Sequence, residues 1–169
     1  MARPIVLLGL MGCGKTTVGE ALARRLRRPF WDSDAQLQEM TGLTAARLGA
    51  ERGTEVLHHL EVEVLDRGIT RPQVVAAAAA VVLDPRVPAL LGDAWVIWLR
   101  VEITLLAGRL GHDDGHRPLP AGDLLGMLRE MSRVRDPLYA RVADLTLDAG
   151  RSSPAALVRR IMLAMPAGT

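Results

Sequence analysis

The residues best equipped for chemistry stand together near the N-terminus, in Gly9-Leu10-Met11-Gly12-Cys13-Gly14-Lys15-Thr16-Thr17. Glycines at this spacing let successive backbone N–H groups face one polyanion, while Lys15 adds a compact cation and Thr16 a hydroxyl oxygen. Such a set suits a nucleotide: Gly12, Cys13, Gly14, Lys15, Thr16 and Thr17 would line its phosphates. Lys15 would reach the β- and γ-phosphates and Thr16 would hold Mg²⁺. The apolar run Ile5–Leu8 before the loop and the amphipathic stretch Val18–Leu26 after it predict a strand and a helix, whose N-terminus also favours an anion. A glycine-rich turn with no ligand is the alternative. Composition argues against it, because Lys15 is the sole lysine among 21 Lys and Arg residues, and the planar fork of Arg fills that position poorly.

A pair of carboxylates comes next. Phe30-Trp31 leads into Asp32-Ser33-Asp34, which reads as a short second strand ending in acids, and ligands of open α/β sheets sit beyond the carboxyl ends of strands. Two apart on extended chain, Asp32 and Asp34 would share a face and supply a Mg²⁺ ligand and a general base. The competing reading is a helix cap, with Asp34 answered by Gln38. Further on, His58, His59 and Glu61 fall on a helical stretch; adjacent histidines there lie about 100° apart and do not share an ion. Asp84 could end a strand as a metal ligand, but Asp84-Pro85 reads better as a helix start that Gly92 stops. The stretch from Gly111 to Gly122 is too polar and broken for an element. A loop that long in a short chain is usually functional, and its Arg117 could close over transferred phosphate.

The elements that must position these groups alternate. Strands are expected at 5–8, 28–34, 73–82, 95–99 and 142–147. Helices are expected at 18–26, 35–51 with a break at Thr41-Gly42, 55–67, 103–110, 123–135 up to Asp136-Pro137, and 154–165. The fold class is therefore α/β: one doubly wound domain over 1–169, a five-stranded parallel sheet with helices on both faces, and a mobile lid at about 111–122.

Charge excludes little and supports little. The 21 basic and 19 acidic residues leave a net charge of +2, so no nucleic-acid partner follows, and Arg24–Arg28 reads as the solvated end of the first helix. A single cysteine excludes a disulfide framework and fits a reducing cytosol. Cys13 is a small side chain within the loop, where a helix N-terminus could activate the thiol and make its oxidation inhibitory. The longest uncharged apolar run, Val74–Leu83, is about half of a membrane span. We expect a cytoplasmic monomer with no membrane partner.

With these landmarks placed, the chain resembles the shikimate kinases from about Ile5 to Met165. The resemblance rests on the phosphate loop, Asp32-Ser33-Asp34, Thr41-Gly42, Arg117-Pro118-Leu119 and Arg135-Asp136-Pro137-Leu138-Tyr139. It implies ATP and Mg²⁺ as cofactors, with the metal near Thr16 and Asp32, and transfer of phosphate to shikimate, giving shikimate 3-phosphate for chorismate and aromatic amino-acid biosynthesis. It makes Lys15, Asp34 and Arg117 catalytic, with Asp34 binding the acceptor hydroxyls and accepting a proton and Arg117 acting from the lid. Arg135 would pair with the acceptor carboxylate. Arg109, Arg151, Ser152 and Pro154 would flank adenine. His58, Glu61 and Ala79 complete the acceptor pocket by position.

Two of those positions depart from the family pattern. Where the family has an arginine that grips the carboxylate, this chain has His58, which would be mostly neutral at pH 7 and charge toward pH 6. Where the family has three glycines, it has Ala78-Ala79-Ala80, which add methyls and disfavour positive φ. The departures leave two further readings beside an active shikimate kinase: a kinase for another small hydroxylated acceptor, and a paralogue that binds ATP without efficient turnover.

Overall fold

The computed structural model describes residues 2–111 and 123–169. The expected lid and Arg117 thus lie, apart from Gly111, outside the described residues. One sheet holds β1 (Ile5–Leu8), β2 (Phe30–Asp32), β3 (Val74–Ala76), β4 (Trp95–Arg100) and β5 (Leu145–Asp148) in the order β2-β3-β1-β4-β5. Every pair is parallel, with Leu7 facing Ala76 on one side and Ile97 on the other. The helices are α1 (Lys15–Leu26), α2 (Ser33–Thr41), α3 (Ala45–Arg52), α4 (Thr54–Gly68), α5 (Val87–Leu90), α6 (Ile103–Gly111), α7 (Leu124–Val142) and α8 (Pro154–Ala164).

The chain leaves β1 in one direction, toward β2, and leaves β4 in the other, toward β5. Right-handed crossovers then place α1 with α8 on one face of the sheet and α6 with α7 on the other. The divergence opens a crevice beyond the carboxyl ends of β1 and β4. β1 is fully buried, as a strand covered on both faces must be. The main core lies along the sheet and joins Leu7, Leu22, Ile97, Leu106 and Ile161. A smaller, separate core of Leu37, Leu48 and Val64, lined by Trp31 and Leu57, binds α2, α3 and α4 to one another.

Four expectations are corrected. The third strand is three residues long rather than ten, because beyond Ala77, whose N–H still bonds to Leu7 O, the alanines turn out of the sheet into a 3-10 turn at Val81–Leu83. α7 runs through Asp136-Pro137 instead of stopping there. Pro137 is exposed, so solvent can serve the carbonyl its missing N–H abandons, and the next turn is anchored by Tyr139, fully buried. The last strand starts at Leu145, since Asp144 is occupied by accepting from Val96 N–H at 2.8 Å. Asp84 holds the N–H and guanidinium of Arg86 in a turn, and the helix begins only at Val87. Among the described residues, no helix is long and apolar enough to cross a membrane.

Candidate active site

The loop between β1 and α1 is shaped by glycines in the left-handed region. Gly9 has φ +146°, and a Cβ there would sit 2.6 Å from both Leu99 O and Cys13 Sγ. Gly14 precedes α1 at φ +102°. Only glycine takes such angles freely, so these positions set the path of the loop. Lys15 folds back across it, its Nζ donating to Gly9 O at 2.7 Å and to Leu10 O at 3.1 Å, with Cys13 Sγ at 3.9 Å. Cys13 is buried beneath the loop, while Gly12, Thr16 and Thr17 lie at its exposed surface. The ammonium is thus held over the loop by carbonyls, within reach of an anion on the α1 N-terminus.

Thr16 Oγ1 donates to Asp32 Oδ2 at 2.7 Å, while Asp32 Oδ1 accepts from Ala35 N at 3.1 Å and caps α2. The cap expected of Asp34 therefore belongs to Asp32. Asp34 itself stands in the first turn of α2, one helical step on rather than across a strand face. Thr16 and Asp32 form a pair of hard oxygen donors at the mouth of the phosphate loop, the donor chemistry Mg²⁺ prefers. Among the described residues no group of three or more His, Cys, Asp and Glu is placed to hold a metal ion.

Arg135 from α7 acts electrostatically on His58 and Glu61 of α4, and Asp34 from α2 acts on Glu61. Glu61 is only 7% exposed, and its Oε2 has no hydrogen-bond partner among the described residues. Burial, then the nearby Asp34 charge, push its carboxyl up to about 7 against the opposing pull of Arg135. Burial first and Arg135 second lower the His58 imidazole below its usual value. The neutral histidine expected at pH 7 is thus reinforced, and charging it needs a lower pH than the sequence suggested.

Tyr139 is the residue that sequence reasoning quoted but did not use. Its hydroxyl donates to Ala79 O at 2.6 Å, its ring meets Trp98, and the Arg135 charge lies beside it. It therefore ties α7 to the alanine turn. That turn is unstrained: among the described residues the only non-glycine with positive φ is Arg27, so Ala78, Ala79 and Ala80 need no glycine-like geometry. A tyrosine fixed four residues after Arg135 was the available signal.

On the far side of the loop, Arg109 Nη2 donates to Ala149 O at 2.9 Å and Gly150 O at 2.8 Å. This clasp brings α6 to the turn carrying Arg151, Ser152 and Pro154, with Ser152 Oγ on Asp148 O and Ser153 capping α8. The structure thus gathers the expected sites into a phosphate loop, an acidic and cationic pocket, and a flank built by Arg109 and 151–154.

Known proteins resemble this chain over nearly its whole length. A family model described as shikimate kinase matches residues 11–166. The shikimate kinase of Dechloromonas aromatica is 37% identical over 162 residues, 95% of this chain and 88% of that protein. The shikimate kinase of Symbiobacterium thermophilum is 40% identical, over 94% of this chain and 93% of that one. The solved structure of shikimate kinase from Acinetobacter baumannii in complex with shikimate superposes with a TM-score of 0.89 at 29% identity, covering 96% of this chain and 92% of that one. With the phosphate loop, the aspartate pair and the arginine-to-tyrosine motif of α7 in one crevice, and with a match running nearly end to end, this chain belongs to the shikimate kinase family.

Proposed function

We propose that the chain transfers the γ-phosphoryl group of ATP to a hydroxyl of shikimate, giving shikimate 3-phosphate and ADP. The observation that carries the reading is the β2–α2 junction, where Asp32 bonds to the phosphate-loop Thr16 and Asp34, two residues on, faces the acceptor pocket. In the reaction the acceptor oxygen forms a bond to γ-phosphorus as the bond to the bridging oxygen of ADP breaks, and the hydroxyl proton passes to the Asp34 carboxylate. Lys15, exchanging the carbonyls of Gly9 and Leu10 for phosphate oxygens, neutralises charge at the transferred group. Arg135 pairs with the acceptor carboxylate and orients it. Thr16 and Asp32 would hold Mg²⁺, which would supply positive charge against the phosphates. Arg117 acts from the expected lid at about 111–122, and Arg109, Arg151, Ser152 and Pro154 receive the adenine. We take the protein to work as a cytoplasmic monomer.

The test is ATP-dependent phosphorylation of shikimate and of a panel of other hydroxylated acids by the purified protein, with the product identified by mass and NMR. Shikimate-dependent ADP formation that disappears in Lys15→Ala is the expected result. Turnover of another acid with none of shikimate would replace the acceptor, and would assign His58 and Ala78–Ala80 to that different specificity.

A further inference from the structure

The acceptor pocket holds a buried acid that the transfer chemistry leaves without work. Glu61 is 7% exposed, with an oxygen that no described residue satisfies. A buried polar atom in that position costs free energy unless something binds it. The charges acting on it are those of Asp34 from α2 and Arg135 from α7, and His58 stands three residues back on α4. The 3-10 turn Val81–Leu83 brings no ionisable side chain, and the charged residues of α3, Arg47, Glu51 and Arg52, are exposed to solvent. Among the described residues, an acceptor carboxylate entering here would meet the Arg135 guanidinium, a neutral imidazole and two acids. If Glu61 were ionised, the pocket would repel its own substrate.

We propose that Glu61 works as a neutral carboxylic acid whose hydroxyl donates to the acceptor carboxylate, so that binding the acceptor carries a proton into the pocket. The inference rests on the acceptor being shikimate. A carboxyl that burial and Asp34 already hold near neutrality is raised further by a second carboxylate beside it, so above pH 7 complex formation must take up a proton from solvent. His58, whose imidazole is lowered, titrates on the acid side of this window.

Calorimetry of shikimate binding in buffers of different ionisation enthalpy tests the inference. At pH 8 the wild-type protein is expected to take up about one proton per shikimate, and to bind about tenfold more weakly than at pH 6.5. Glu61→Gln, which keeps a neutral donor, should bind at pH 8 with the affinity the wild type has at pH 6.5 and without uptake. His58→Gln should retain the uptake at pH 8, and the methyl ester of shikimate should bind without it. Shikimate binding at pH 8 with no proton uptake by the wild type, or uptake that persists in Glu61→Gln, would overturn the inference while leaving the kinase reading intact. A protein that binds Mg-ATP but no shikimate at either pH would overturn the kinase reading itself, and this inference with it.

Discussion

The phosphate loop and the acceptor pocket lie a few residues apart at Asp32 and Asp34, yet they are built in different ways. The loop is a main-chain device: left-handed glycines fix its path, Lys15 rests on two backbone carbonyls, and Gly9 is pressed against Leu99 O of the neighbouring strand. The pocket is a side-chain device, assembled from α2, α4 and α7 around ionisable groups of both signs. A backbone cradle accepts few substitutions because its geometry is its function. A pocket of side chains can exchange arginine for histidine or glycine for alanine and keep its fold, with a change in charge and shape. The difference explains how the pocket can carry His58 and Ala78–Ala80 while the loop keeps its glycines and Lys15.

The contrast can be broken most severely at Lys15. Lys15→Ala should lower kcat about a thousandfold or more with shikimate, since the lost charge acts on the transferred phosphate. Steady-state kinetics on a folded variant decides it, and near-normal turnover would remove the nucleotide side of the reading. Next in size is Gly9→Ala. Its Cβ meets Leu99 O and Cys13 Sγ at 2.6 Å with φ at +146°, so overpacking and backbone strain should cost about 3 kcal/mol or more. For a chain of this size that corresponds to a fall in Tm of about 6–12 °C. An unchanged Tm would mean that the loop is more yielding than its contacts imply.

The pocket should answer to pH where the loop does not. Because the Glu61 carboxyl is raised in the folded protein from 4.5 to about 7, the stability it contributes is fully present below pH 4.5 and is lost as pH rises through 7. The loss is on the order of 3 kcal/mol. Glu61→Gln should therefore gain stability relative to wild type between pH 5 and pH 8, followed by urea denaturation; a constant difference would contradict the burial of that charge. Smaller still, Tyr139→Phe deletes the donor to Ala79 O and should cost about 1 kcal/mol. It should raise the KM for shikimate while leaving that for ATP unchanged, an asymmetry that a purely structural tyrosine would not give.

How far the sequence could be read follows the same division. The loop was legible because glycine, lysine and threonine spacing encodes backbone shape directly, and the parallel sheet was legible because β1 and β4 are uninterrupted apolar runs. Element ends were less so. Five alanines in a row read as strand, yet the turn at Ala78–Ala80 is set by contact with Tyr139, 60 residues away. Pro137 read as a terminus because nothing local reveals that the turn beyond it is anchored in the core. The state of Glu61 was out of reach for the same reason, since burial and the Asp34 charge arise only when three helices meet.

The small core of Leu37, Leu48 and Val64 gives α2, α3 and one side of α4 an apolar centre of their own, while Val62 and Leu65 on α4 join that of the sheet. Segments of this kind exchange their amide hydrogens through partial openings that leave the rest of a protein folded. The amides of α4 should accordingly exchange faster than those of β1 in the free protein and slow when shikimate is added, with β1 little altered. The kinase would then close on its acceptor by quieting one cooperative unit of the fold rather than by stiffening the whole.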